Sequence, residues 1–355
     1  MTGQDWLADL AGELVNSGVL QFATAQVTAD AVDNRGGQFG GGTVTVSAGG
    51  LFDNTAGGSL LAEVGASISA AQIANGGGYL LGGAWIELSA AGDLDNAGGV
   101  IWSGGSLAAS SDGGSLLNRA GYVLADGDLD LRVWWHIDNP NDSVIQAGGN
   151  AYLRAARIDN GSPADYRLTS IRDGAGYTDV YVTRVLSGAP AIISADGSLT
   201  IVAGADDDTA GGVLFNESSI IGAGGNLNIA AARFDNHATA FQDYDYDETG
   251  GVSHIPKNVP YIVAYDPAFE DRWALFDYFA REIGGVTAGF RYDKTDNQWT
   301  WVNVPATVQA GGNITVSVGE FINTGYFHGR DLVRGCMITR WSLRARIRAW
   351  SWGRR

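Results

Sequence analysis

A short phrase, an apolar residue followed usually by Asp and then by Asn, recurs about every 21 residues along most of this chain. It stands at Val32-Asp33-Asn34, Phe52-Asp53-Asn54, Ile73-Ala74-Asn75, Leu94-Asp95-Asn96, Leu116-Leu117-Asn118, Ile137-Asp138-Asn139 and Ile158-Asp159-Asn160. It returns at Phe215-Asn216, Phe234-Asp235-Asn236 and Phe321-Ile322-Asn323. Counted from Asn16, the first intervals are 18, 20, 21, 21, 22, 21 and 21 residues. A period this regular means one structural unit copied along an axis.

The content of the unit says what it is. Most Asn positions are preceded by small residues and a period-two stretch, as in Thr43-Val44-Thr45-Val46-Ser47, Ile86-Glu87-Leu88, Leu129-Asp130-Leu131, Leu227-Asn228-Ile229 and Ile314-Thr315-Val316. Such alternation sends one side chain inward and the next outward on a strand, so the apolar members are expected to line a lumen. A second short strand follows each Asn-Gly stretch, as in Tyr79-Leu80-Leu81. Two or three short strands per unit are too few for a propeller blade and leave no room for crossover helices. The expected fold is all-β, a parallel β-helix in which each unit is one coil.

In that fold the Asn occupies a corner. Asn tolerates a left-handed backbone, and Gly36, Gly57, Gly76 and Gly98 do so at lower cost. Identical corners stack at the spacing of adjacent strands, so Asn34, Asn54, Asn75, Asn96, Asn118, Asn139, Asn160, Asn216, Asn236 and Asn323 are expected to form a hydrogen-bonded ladder. The Asp beside each is expected to face solvent. These are shape-setting roles, not catalytic ones.

Two interruptions divide the array, giving repeats over 1–160, 192–236 and 307–329. In the first interruption, 161–191, Tyr166 to Ile171 and Asp179 to Val185 flank Gly174-Ala175-Gly176 and read as a hairpin or a pair of extended strands. The second, 237–306, opens on Asp243-Tyr244-Asp245-Tyr246. Asp266-Pro267 then caps a helix to Ile283 with Phe269, Trp273 and Phe276 on one face, and a hairpin carrying Trp299 and Trp301 follows. Tyr244, Tyr246, Trp299 and Trp301 are candidates for an interaction surface; the alternative is that the aromatics fasten the insertion to the shaft.

Composition narrows function. The 355 residues carry a net charge of −17, which disfavours nucleic-acid binding because phosphate contacts need a basic face. A single Cys permits no internal disulfide. The four His residues are scattered, and no Cys-x-x-Cys or His-Glu-x-x-His occurs. No metal, cofactor or enzymatic activity is expected, although β-helical polysaccharide-cleaving enzymes form a rival class. No run of 18 apolar residues exists to span a membrane. From Arg330 the rhythm stops: eight of the 22 basic residues fall in 330–355, offset only by Asp331, so this tail carries +7 and the rest −24. The tail reads either as a membrane- or nucleic-acid-binding segment or as the product of a truncation or frame change.

The apolar-Asp-Asn repeats followed by Gly pairs, with phrases such as Gln309-Ala310-Gly311-Gly312-Asn313-Ile314, resemble the haemagglutinin repeats of filamentous haemagglutinin and contact-dependent inhibition exoproteins. The resemblance covers about Leu14 to Gly329 outside the insertions. It implies a right-handed β-helical shaft on a bacterial cell surface, belonging to a protein secreted by the two-partner route. The implied role is adhesion, or carriage of a C-terminal toxin. The implied partners are a receptor or glycan on a host or neighbouring cell and an outer-membrane transporter for the full-length parent. Residues 1–20 hold no basic residue, so no signal peptide is expected there, and Asn139-Pro140-Asn141 lies mid-repeat, so it is not expected to mark a secretion domain. The chain is therefore expected to be an internal piece of a longer exoprotein.

Overall fold

The computed structural model describes residues 4–161, 165–172, 178–185, 189–204, 211–237, 289–293, 298–302, 306–323, 326–328 and 332–334. Among these residues the regular elements are strands only. Of the strands, 29 join one hydrogen-bonded network whose pairings are all parallel, the pattern of a β-helix.

Each coil contributes to three sheets. Taking the coil about Asn96 as the example, Trp85–Ala90 lies in the first sheet, between its neighbours Ser59–Ala70 and Ser106–Ser111. Leu94–Asp95 lies in the second, between Gln72–Ala74 and Leu116–Leu117. After the Asn corner, Val100–Ser103 lies in the third, between Tyr79–Gly82 and Tyr122–Ala125. The chain then turns into the next first-sheet strand. Near the N-terminus this last turn is not a break, and single strands such as Gln38–Ala48 and Ser59–Ala70 run through it, with a register shift between Gly41 and Thr43.

The lumen is filled by columns that register dictates. In the first sheet Val44, Ile86, Leu129, Leu227 and Ile314 are buried, as are Val46, Leu88, Leu131 and Ile229. Val316 departs from the lumen expectation in being half-buried. The second sheet contributes a column of large side chains, Phe52, Ile73, Leu94, Leu116, Ile137, Ile158, Leu214 and Phe234, each at most 2% exposed. Ala48, Ala70, Ala90, Ala155 and Ala203 lie where the first sheet ends, and small side chains suit a corner where the cross-section narrows. A gap at the N-terminal end, among Leu14, Val27, Phe39 and Phe52, has a cavity volume of about 10 Å3, far short of the roughly 300–1,000 Å3 of small-molecule sites.

The corner backbone differs from the sequence expectation in an instructive way. The ladder asparagines are not left-handed. That conformation falls mostly two residues later, at Gly36, Gly77 and Gly98, and at Ala56, Ala120 and Ser218; in the corner of Asn75 it is therefore Gly77, not Gly76. Gly57 is also left-handed, at φ 80°. The more demanding glycine comes next. A Cβ on Gly99 would stand 2.1 Å from the Asn75 carbonyl oxygen, whereas one on Gly98 would meet nothing nearer than 3.9 Å. We therefore expect Gly99→Ala to cost about 3 kcal/mol, because two coil backbones must part, but Gly98→Ala only about 1 kcal/mol of left-handed strain. Chemical denaturation of the two variants checks this; equal costs would show that coil spacing is slacker than described.

Candidate functional site

The corner between the second and third sheets gathers most of the residues singled out from the sequence. Along it, each Asn Nδ2 donates to the Oδ1 of the Asn one coil on. The distance is 2.6 Å from Asn16 to Asn34, and 2.7 or 2.8 Å through Asn54, Asn75, Asn96, Asn118, Asn139, Asn160, Asn216, Asn236 and Asn323. The second amide proton goes to the third-sheet backbone, as from Asn96 to the Tyr122 carbonyl at 3.1 Å. From Asn34 to Asn236 the side chains are almost wholly buried, so the ladder is sealed from solvent and filled by its own groups.

Neither insertion breaks this ladder. Asn160 donates to Asn216 over 56 residues of sequence, and Asn236 to Asn323 over 87. Both insertions leave the shaft at this same corner and return to the following third-sheet strand, Ile192–Ala195 and Thr307–Ala310. The shaft claims one residue more on each side of the second insertion than its sequence boundaries: His237 still pairs with Glu217, and Ala306 is fully buried. In the first insertion, Asp165–Arg172 and Thr178–Val185 pair antiparallel. In the second, Gly289–Asp293 and Gln298–Val302 do so, with Trp299 opposite Tyr292 and Trp301 opposite Phe290. Tyr244, Tyr246, the Pro267–Ile283 helix, Cys336 and most of the basic tail lie outside the described residues.

The Asp beside the Asn does not simply face solvent. Asp33, Asp53, Asp138 and Asp159 have side chains only 14–19% exposed. Several fold back to accept the backbone N–H two residues on, as at Asp33 with Arg35 (3.0 Å), Asp53 with Thr55 (3.0 Å) and Asp95 with Ala97 (2.9 Å). This Asx turn starts the corner. Arg35 also binds Asp33 through its side chain (2.6 Å), and that hydrogen bond, with the backbone one, holds the carboxyl below its ordinary range. For Asp159 burial pushes upward, but hydrogen bonds from His136 (3.0 Å) and Arg157 (2.8 Å) outweigh it and keep the group acidic. Phe215 lies between the guanidinium groups of Arg157 and Arg233, 4.9 and 5.8 Å from its ring centre. The His136–Asp159 and Phe215 contacts clamp successive coils together.

A second ladder went unread in the sequence. At the turn from the third sheet to the first, Asp128 Oδ1 accepts from the Asn150 N–H, Asn150 Oδ1 from Ser198, Ser198 Oγ from Asn226, and Asn226 Oδ1 from Asn313, at 2.7–3.2 Å. Its signal is the polar residue after Asp-Gly or Gly-Gly pairs, as in Asp196-Gly197-Ser198 and Gly311-Gly312-Asn313. Among the described residues no group of three His, Cys, Asp or Glu is placed to hold a metal ion. No helix among them is long and apolar enough to cross a membrane.

Stacked corners, filled lumen and parallel coils define a β-helical shaft. The haemagglutinin repeat family matches residues 8–56, 53–98, 102–175, 146–246 and 300–326, well over half of the sequence, and the chain belongs to that family. It is 35% identical over 121 residues to the deoxyribonuclease CdiA of Dickeya dadantii (strain 3937), a stretch of 34% of this chain and 4% of that protein. The chain thus matches only a small part of the length of that relative. No solved structure matches it.

Proposed function

We propose that this chain is a structural and interaction segment of a large secreted bacterial adhesin, a β-helical shaft at the cell surface that attaches to a receptor or glycan on another cell. The observation that carries this reading is the unbroken Asn ladder from Asn16 to Asn323, which keeps the shaft continuous while two insertions are displayed from one corner. Rigid scaffolds that present loops are a common way to build recognition. The role assigned to the chain is mechanical and adhesive, with no catalytic step. An outer-membrane transporter would export the full-length parent.

A second reading takes the same shaft as the stalk of a contact-dependent growth inhibition exoprotein, with a toxin carried elsewhere. The match to CdiA favours it. Fluorescent beads coated with the chain test the first reading: they are expected to bind target cells, and beads coated with a chain lacking residues 238–305 to bind at least tenfold less. Binding by neither would favour the stalk. Chain-length reduction of polygalacturonate by the purified protein would overturn both in favour of an enzyme.

A further inference from the structure

The outer face of the third sheet stands apart from the other two because it bears no charge across four successive coils. Parallel register sets its outward positions in two columns. One holds Tyr79, Val100, Tyr122 and Val144. Beside it run Leu81, Trp102 and Leu124, ending at Gln146. Tyr79 and Tyr122 are 47% and 43% exposed, and the Trp102 indole N–H reaches Asp126 at the rim, 3.2 Å away. Comparable outward positions on the first sheet carry Glu87, Asp130 and Arg132, and on the second Asp95, Asp138 and Arg157. Scattered exposed apolar residues need no explanation, but contiguous columns mark an interaction surface.

Three features say what covers it. The first column alternates large and small, Tyr, Val, Tyr, Val, at coil steps of about 4.8 Å; ridges and grooves so spaced interleave with a copy of themselves shifted by one coil. The chain carries −17 overall, so two copies approach most easily through an uncharged face. Leu61, Ile192 and Ile220 prolong the columns in register. Seven coils by a face about 13 Å wide would bury on the order of 900 Å2 over both copies, at the weak end of specific interfaces.

We propose that this face is a self-association surface, on which a second copy of the chain packs sheet against sheet with tyrosines of one over valines of the other. Sedimentation velocity of the full chain over about 1–500 μM tests it. The sedimentation coefficient is expected to rise with concentration. In the double variant Tyr79→Glu/Tyr122→Glu association should weaken at least tenfold, whereas Ser47→Glu/Ser69→Glu, the same charge change on the exposed outer face of the first sheet, should weaken it far less. Circular dichroism confirms that both variants fold, since all four side chains point away from the lumen. A chain that stays monomeric throughout overturns the proposal; if Tyr79 and Tyr122 then also resist nitration, a segment of the same chain covers the face. Equal weakening by both variants overturns it too, assigning association to net charge and not to this surface.

Discussion

Replacing Leu131 by Asp is expected to abolish folding of several coils, not to loosen one. Leu131 is fully buried and pairs in register with Ala109 before it and Leu153 after it. Removing the leucine loses about 3–5 kcal/mol of transfer and cavity energy, and the carboxylate must either stay charged among hydrocarbon or take up a proton at further cost. A solenoid holds each coil only through its neighbours, so damage at mid-array spreads to both sides. Limited proteolysis should cut near residue 131 in the variant and spare the parent protein. An unchanged melting temperature would mean that the lumen is wetter than the packing indicates.

The second large effect is expected at Asn96→Asp, a change of one atom. Asn96 donates to Asn118 Oδ1 at 2.8 Å and to the Tyr122 carbonyl at 3.1 Å, with no exposure to water. In an aspartate the oxygen that replaces Nδ2 faces both of these acceptors, so both hydrogen bonds become repulsions, while the other oxygen still accepts from Asn75 Nδ2. The cost at neutral pH is about 3–5 kcal/mol, that of stranding a buried charge. Protonation restores one donor, so the folded-state pKa of the new carboxyl must lie above its unfolded value near 3.9. The charge-dependent part of the penalty is then absent below that unfolded value, leaving only the one lost hydrogen bond, and it grows as pH rises, until the folded group ionises. The gap between the denaturation midpoints of the variant and the unsubstituted chain should therefore narrow toward pH 4 and widen toward pH 7. Parallel curves would show that solvent reaches the ladder.

What could be read from the sequence was whatever repetition writes into it. The period placed the Asn residues in successive coils, and the alternation marked Val44, Leu88 and Leu131 as inward, because a strand sends every second side chain to the same side. The insertions were visible as lengthened intervals. The left-handed residue was misassigned at Gly76 because consecutive glycines satisfy every backbone demand alike; only stacking shows that Gly77 takes the turn and Gly78 avoids the Asn54 carbonyl. The role of Asp33 as a turn cap needed the bent geometry of the corner, which an outward-facing strand position does not suggest.

The sequence by itself determined a parallel β-helix, its coil length and its membership of a repeat class, since each depends on spacing within one unit. Only the tertiary structure decided what depends on the distance between units. It brought Asn160 to Asn216 and Asn236 to Asn323 across the insertions, placed Phe215 between two arginines, and gathered uncharged side chains from successive coils onto one outer face. Those contacts join residues 18 to 87 positions apart, and their chemistry exists only once coils stack at the spacing of hydrogen-bonded strands.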